Sequence, residues 1–176
     1  LSGLNNTSVV ASFAGTATFT GDLGKAVVTV SDTNVMTLLG ATMGTSSFIV
    51  DSGSTLVGPA SLLTGVSTSG AGTTSVSDLQ FTATADLSGL TTTSVLASFV
   101  ESAQFRGNLG KAVVTVSVGP EGNSTMTLNG TTMGTATFVV ESGCSLRGTS
   151  EQLYGKYVSG LGTTKISDLS SGNVIN

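Results

Sequence analysis

Short runs of β-branched and other apolar residues alternate with glycine-containing turns along the whole chain. Within these runs apolar and polar residues alternate, so that Met126 and Leu128 face one side of a strand and Thr127 faces the other. Helical periodicity is almost absent, and only 61–63 and 150–154 could form a helical turn. The pattern predicts an all-β fold with little or no helix. The clearest candidate strands of the first half are 16–20, 26–31, 35–39 and 47–50.

The chain consists of two homologous halves. Residues 24–31 recur letter for letter as 110–117, and other matches at the same offset of 86 place the start of the second copy at position 87. Farther along, the offset is 90, because four residues are inserted at 118–123, where glycine, proline and asparagine indicate a loop tip. The sequence therefore predicts two homologous β repeats, 1–86 and 87–176.

Two architectures fit short strands of this kind. The segment 138–143 has apolar residues followed by a glycine at a corner, and Leu146 is the next apolar residue expected to face inward. This order is typical of successive rungs of a β-solenoid. The glycine spacing is irregular, however, with no fixed coil length, and repeats of this size could also form β-sandwiches. The pattern leaves β-sandwich-like and β-solenoid-like repeats open.

Hydroxyl groups replace charge in this sequence. Charged residues make up 9% of the chain, whereas Ser and Thr make up roughly a third of it. The net charge is -4 and the pI is about 4.4, which argues against nucleic acid as a partner. Residues 1–86 carry five Asp and one Lys, while 87–176 carry five acids and five bases, so the first half is the acidic one.

The apolar runs are too short to cross a membrane, since a span needs about 18 residues. The chain begins at Leu1 without Met, and we interpret this as a sign that a leader was removed. We therefore expect an extracellular, secreted protein without a membrane partner.

The residues needed for most catalytic chemistry are missing. The chain has no His and one Cys, which excludes Ser-His-Asp arrangements and thiolate zinc sites. The ten acidic residues are scattered, without the Asp-x-Asp spacing typical of calcium sites. The segment 21–25 superficially resembles a phosphate-binding loop, but its spacing is wrong and a hairpin turn explains it better. We expect no enzyme activity, no cofactor and no metal.

Cys144 has Ser54 as its counterpart in the first half. The lone cysteine is expected to be a small buried or half-buried filler, and the alternative is a thiol that links chains. The phenylalanines come in matched pairs, which indicates repeated core positions. Those pairs are Phe13 with Phe99, Phe19 with Phe105 and Phe48 with Phe138.

Threonines spaced two apart are candidate surface-contact residues. Such spacing could place hydroxyl ladders on a flat sheet, an arrangement that can order water at ice, although the polar face of an ordinary strand explains it better. The chain also has four Asn-x-Ser/Thr sequons, which are candidate glycosylation sites. The threonines are Thr16, Thr18, Thr20, Thr82, Thr84, Thr135 and Thr137, and the sequon asparagines are Asn5, Asn6, Asn123 and Asn129.

Each half carries a Leu-Gly-Lys-Ala element, at 23–26 and 109–112. Together with the segments 96–99, 105–112 and 134–137, this element resembles the barnacle cement proteins of the nineteen-kilodalton, Ser/Thr/Gly/Ala/Val-rich class. The resemblance implies a secreted protein that couples cement to foreign underwater surfaces and self-assembles. Lys25 and Lys111 of the elements are then further surface-contact candidates, although this chain has four Lys in total and the family is Lys-rich.

Three functions compete. The first is a secreted structural or adhesive protein, non-catalytic, whose uncharged Ser/Thr surface contacts foreign surfaces or other matrix proteins and permits self-association. The second is a carbohydrate- or ice-binding β module in which the duplication supplies two sites. An enzyme comes last.

Overall fold

The chain winds into a β-solenoid in the computed structural model, which describes residues 1, 3, 4 and 8–169. Each coil contributes two strands, and strands of successive coils pair in parallel. Parallel pairing follows from the winding, because the chain returns to the same side in the same direction after each coil. The strands are β1 (Val10–Phe13), β2 (Ala17–Phe19), β3 (Val27–Val30), β4 (Val35–Leu38), β5 (Ser47–Val50), β6 (Thr55–Pro59), β7 (Ser67–Ser69), β8 (Thr73–Ser77), β9 (Ser94–Val100), β10 (Ala103–Phe105), β11 (Val113–Ser117), β12 (Thr125–Leu128), β13 (Thr137–Val140), β14 (Ser145–Gly148), β15 (Val158–Ser159) and β16 (Thr163–Ile166).

Helical structure among the described residues is confined to single turns. The helices α1 (Ala60–Leu63) and α2 (Ser150–Leu153) coincide with the two helical turns predicted from the sequence. A 3-10 helix spans Leu79–Phe81. The prediction of an all-β fold with little helix is confirmed.

The strands form three sheets. The long sheet has the order β15-β13-β11-β9-β8-β6-β4-β2. The first short sheet is β1-β3-β5-β7, and the second short sheet is β10-β12-β14-β16. The long sheet therefore combines the second strand of each coil in the first repeat with the first strand of each coil in the second repeat. At the joint, β8 pairs with β9, so the sheet is continuous across residues 86 and 87.

Of the two architectures left open by the sequence, the solenoid is the observed one. Strand partners lie 20 residues apart in much of the stack, as for Val27 with Ser47 and Thr125 with Ser145. The coil between Val113 and Thr137 is longer because it contains the loop at 118–123. Loops of different length thus hide the coil period in the glycine spacing, which is why the spacing argued wrongly against a solenoid.

The core is the row of inward-facing residues stacked from coil to coil. Four of the six paired phenylalanines are almost fully buried, and Phe13 and Phe19, in the first coil, are half-buried. Cys144 is buried as expected, and so is its counterpart Ser54. A buried thiol is a core filler and cannot link chains without local opening.

The corners of the coils need glycine. Gly44 has φ +56, and a Cβ there would lie 2.1 Å from the carbonyl oxygen of Gly24 one coil earlier. Gly134 stands in the same relation to Gly110. The segment 21–25 is one of these corners and not the predicted hairpin turn, because β2 and β3 on either side of it belong to different sheets.

Candidate surface-contact face

The long face, defined as the outward side of the long sheet, is the largest regular surface of the protein. The eight strands of this sheet contain no Asp, Glu, Lys or Arg. Eight strands about 4.8 Å apart give a face about 34 Å long, and typical strands of four or five residues make it about 15 Å wide. It is therefore a rigid, uncharged strip along the solenoid axis.

Hydroxyl and aliphatic side chains are mixed on the long face. Alternation along the strands places half-buried or exposed residues outward, with Leu96 in β9 exposed to 44%. The central outward row follows the strand register across seven strands. Its residues are Thr18, Thr37, Val57, Ser75, Leu96, Val113 and Thr137.

A second outward row contains three hydroxyls in succession. Thr55, Thr73 and Ser94 are register partners on β6, β8 and β9. Adjacent hydroxyls in this row are about 4.8 Å apart, the spacing of neighbouring strands. The row crosses the joint between the two repeats.

The predicted threonines are only partly brought together. Thr18 and Thr137 lie on the long face, in β2 and β13. Thr16 and Thr20 are exposed on either side of β2, and the Thr16 hydroxyl accepts a hydrogen bond from the Val35 amide at 3.4 Å. The first group of threonines therefore flanks one end of the long face.

Thr82 and Thr84 do not lie on a strand, so neither a hydroxyl ladder nor the polar face of a strand forms at this pair. β8 ends at Ser77, and Asp78 then adopts a left-handed conformation with φ 57 that leads into the 3-10 helix. The chain has left the sheet by the time it reaches the two threonines. Thr135 likewise lies in an exposed turn before β13, so it is not paired on a strand with Thr137.

The two candidate lysines sit at equivalent corners of the repeats but serve different sheets. Lys25 is exposed just before β3 of the first short sheet, whereas Lys111 is half-buried before β11 of the long sheet. The Lys111 ammonium donates a hydrogen bond to the Thr91 carbonyl oxygen at 3.3 Å. The two lysines differ because the counterpart strands that follow them, β3 and β11, belong to different sheets.

Two of the four sequons can be placed. Asn123 is exposed on the inserted loop, where Gly119 and Gly122 exchange both backbone hydrogen bonds. Asn129 is exposed after β12 and donates to the Gln104 side-chain oxygen at 3.2 Å. Asn5 and Asn6 lie outside the described residues.

Charge among the sixteen strands is confined to the second short sheet. Arg147 in β14 and Lys165 in β16 are register partners on its outward side. Like charges on paired strands repel, so this sheet is less suited than the long one to uniform contact. Among the described residues, no cluster of three His, Cys, Asp or Glu side chains could hold a metal ion, and no helix is long and apolar enough to span a membrane.

One corner carboxylate is electrostatically distinct. The Asp86 carboxylate accepts hydrogen bonds from the Ser88 hydroxyl at 2.6 Å and the Ser88 amide at 3.0 Å. These bonds lower the pKa of Asp86 below its ordinary value of 3.8. Asn108, one coil later, closes the same kind of turn by accepting from the Gly110 amide at 3.0 Å. The carboxylate is a structural part of the corner.

Sequence reasoning missed most of the long face. The Ser and Thr residues of β6, β8, β9 and β11 were not singled out, because their spacing is regular only between coils. The recurrence near 20 residues, as between Val35 and Thr55, was the signal that could have aligned them.

Compared with known protein families, with characterised proteins and with solved structures, the chain gives no significant match.

Proposed function

We propose that this chain is a secreted structural or adhesive protein that contacts foreign surfaces through the long face and assembles with itself. The observation that carries the proposal is the absence of charge from all eight strands of the long sheet. Natural sheets commonly carry charged residues that discourage contact with other surfaces. The likeness to barnacle cement proteins in the Leu-Gly-Lys-Ala elements supports the same role.

The chemistry of the face suits unlike surfaces. Outward hydroxyls such as those of Thr55 and Ser75 can donate to or accept from a hydrated mineral, and Leu96 and Val57 can cover apolar material. Neither contact depends on ion pairs, so salt screens them little. The strands are already ordered in the solenoid, and so adsorption costs little conformational entropy.

The test is adsorption of purified protein on silica, on a hydrophobic film and on a polysaccharide film, followed with a microbalance at low and high salt. Leu96→Glu places a charge at the centre of the long face. Ile49→Glu is the matched control, because Ile49 is an outward aliphatic residue of the first short sheet, exposed to 38%.

We expect salt-tolerant adsorption of the unmodified chain to silica and to the hydrophobic film, a loss of severalfold with Leu96→Glu and little change with Ile49→Glu. Equal losses in both variants would show that the long face is not the contact. Binding to the polysaccharide film alone would replace the adhesive function with a lectin-like one.

The hydroxyl row favours ice as a second candidate ligand. Thr55, Thr73 and Ser94 repeat at strand spacing on the long face, an arrangement that can hold ordered water. An ice-recrystallisation assay separates the two functions, since an ice-binding module would inhibit crystal growth at concentrations where it does not adsorb to silica.

A further inference from the structure

The two repeats are joined by a pairing between two strands, and this pairing occurs once within each chain. β8 closes the first repeat and β9 opens the second, and the two strands pair in parallel. Their register partners are Thr73 with Ser94, Thr74 with Val95, Ser75 with Leu96 and Val76 with Ala97. The pairing buries Thr74 and Val76 almost completely.

The same two strand sequences occur again at the two ends of the described solenoid. Residues 163–169 repeat 73–79 as Thr-Thr-x-x-Ser-Asp-Leu, which makes β16 the counterpart of β8. Residues 8–13 repeat 94–99 with one conservative change, which makes β1 the counterpart of β9. In the described structure β16 is the edge of the second short sheet and β1 the edge of the first.

At the β16 end, residues that the joint buries lie open. Leu79 is completely buried between the repeats, whereas its counterpart Leu169 is 52% exposed. Thr164 is exposed although Thr74 is not, and Ile166 is half-buried although Val76 is buried. This end of the solenoid presents the counterparts of the side chains at the joint, and no strand of the described residues covers them.

At the β1 end, the matching receptor surface is also open. Phe99 is fully buried at the joint, and its counterpart Phe13 is half-buried. An open cavity of about 370 Å³ lies here, lined by Phe13, Phe19 and Met36 among others. At the joint, the 3-10 helix that carries Leu79 contacts β9 and β10, the counterparts of β1 and β2.

We propose that β16 of one copy pairs in parallel with β1 of a second copy and so repeats the β8–β9 joint between molecules. The internal register fixes the external one as Thr163 with Ser8, Thr164 with Val9, Lys165 with Val10 and Ile166 with Ala11. Leu169 then enters the cavity beside Phe13. This pairing specifies the self-assembly part of the proposed function and rests on it.

The contact is head-to-tail, so it leaves a free β1 at one end and a free β16 at the other and extends into an open filament. The described residues of each copy form eight coils, which at about 4.8 Å per coil gives an axial repeat of about 38 Å. This polarity avoids the repulsion of a head-to-head contact between two first repeats, because the first repeat has a net charge of -4 and the second, with five acids and five bases, has a net charge of zero.

Disulfide trapping tests the register in the full-length chain. Val10→Cys with Lys165→Cys places two thiols at an outward register pair, as Ser75→Cys with Leu96→Cys does inside one molecule. The mismatched control is Ser12→Cys with Lys165→Cys, which keeps the outward face but shifts the partner by two residues. Cys144 is buried in every variant.

Under mild oxidation we expect the first variant to give a ladder of covalent oligomers, the internal pair to give a cross-linked monomer, and the mismatched pair to stay below a tenth of the first variant's yield. A ladder of equal strength from the mismatched pair, or a product that stops at a dimer, would overturn the proposed register.

A charge in the buried row tests the contact without cysteines. Ile166→Lys places an ammonium where the joint has buried Val76. The matched control is Ile49→Lys, because Ile49 is an outward aliphatic residue of an interior strand of the first short sheet, 38% exposed and away from the proposed contact. Light scattering and electron microscopy should show filaments for the unmodified chain and for Ile49→Lys, and at least tenfold less assembly for Ile166→Lys. Filaments that survive Ile166→Lys would refute the pairing.

The same Ile166→Lys protein on silica separates this inference from the proposed function. Retained adsorption by a non-assembling variant supports both statements. Absent adsorption by an unmodified chain that does form filaments refutes the surface function and leaves the pairing in place.

Discussion

The matched phenylalanines Phe99 and Phe13 measure how much the neighbouring coil stabilises a repeat. Both follow an Ala-Ser pair in homologous strands, and both face inward. Phe99 is covered from both sides and fully buried, whereas Phe13 belongs to the first coil and is half-buried. In a stack each coil contacts only its neighbours, so an end coil lacks half of its partners.

The expected costs follow from burial. Phe99→Ala removes a fully buried aromatic ring and leaves a closed cavity, which costs about 3–5 kcal/mol. Phe13→Ala removes about 80 Å² of buried surface, about half of what a phenylalanine buries at the lower end of its range, and opens no closed cavity. At about 25 cal/mol per Å² this costs about 2 kcal/mol.

Urea unfolding of both variants, at concentrations where the protein is monomeric, gives the two free energies by linear extrapolation. We expect Phe99→Ala to be the more destabilising by about 1–3 kcal/mol. If the two variants lose free energies of unfolding that agree within about 0.5 kcal/mol, the first repeat does not cover Phe99 of the second repeat. The inference that the ends of the solenoid lack covering strands would then be refuted as well.

Two further outcomes test details of the coils. Ser46 is buried and its hydroxyl has no hydrogen-bond partner among the described residues, while its counterpart in the second repeat is Ala136. Ser46→Ala should therefore stabilise the protein by about 1 kcal/mol, and Ala136→Ser should destabilise it by a similar amount. A Ser46→Ala protein that is less stable than the unmodified chain would show that the Ser46 hydroxyl does have a hydrogen-bond partner. Asp86 has a lowered pKa because of Ser88, so its stabilising effect is present above pH 3.8 and is lost as the pH falls through the folded-state pKa. Asp86→Asn should flatten this part of the stability curve, measured as urea midpoints between about pH 5 and 2.5, and an unchanged slope would contradict the assignment.

Local elements were predictable because each is set by a few neighbouring residues. Ser47–Val50 was predicted to the residue. The candidates 16–20 and 26–31 exceed β2 and β3 by one residue at each end, and 35–39 exceeds β4 by one residue at its C-terminal end. The capping box of α2, in which Thr149 and Gln152 satisfy each other's backbone amides, belongs to the same local order. Loop 118–123 was equally clear from its glycines and Pro120.

The choice between solenoid and sandwich was not local. It depends on which strands pair, and partners such as Val113 and Thr137 are separated by a loop whose length varies from coil to coil. The duplication placed the joint at residues 86 and 87 but gave no sign of which sheet each strand joins. Counterpart strands β1 and β9 have almost the same sequence yet lie in different sheets, because β9 is paired with β8 and β1 is not. Because of this shift between sheets, the long face is formed by strands of both repeats that are not counterparts of one another, so the sequence of either repeat alone could not reveal it.

The shift also explains how surface contact and self-assembly can coexist in one small chain. The proposed adsorption uses the outward sides of the strands in the long sheet, whereas the proposed pairing uses backbone edges at the ends of the solenoid. The two contacts do not compete, because the outward row through Ser75 and Leu96 remains exposed when β8 pairs with β9. The proposed pairing joins the second short sheet of one copy to the first short sheet of the next, so the long faces of adjacent copies lie on different sides of the filament. Copies whose long faces point the same way adsorb together, and weak adsorption per copy is multiplied by their number. Adsorption of the unmodified chain should therefore rise more steeply than linearly with concentration, and that of Ile166→Lys should not.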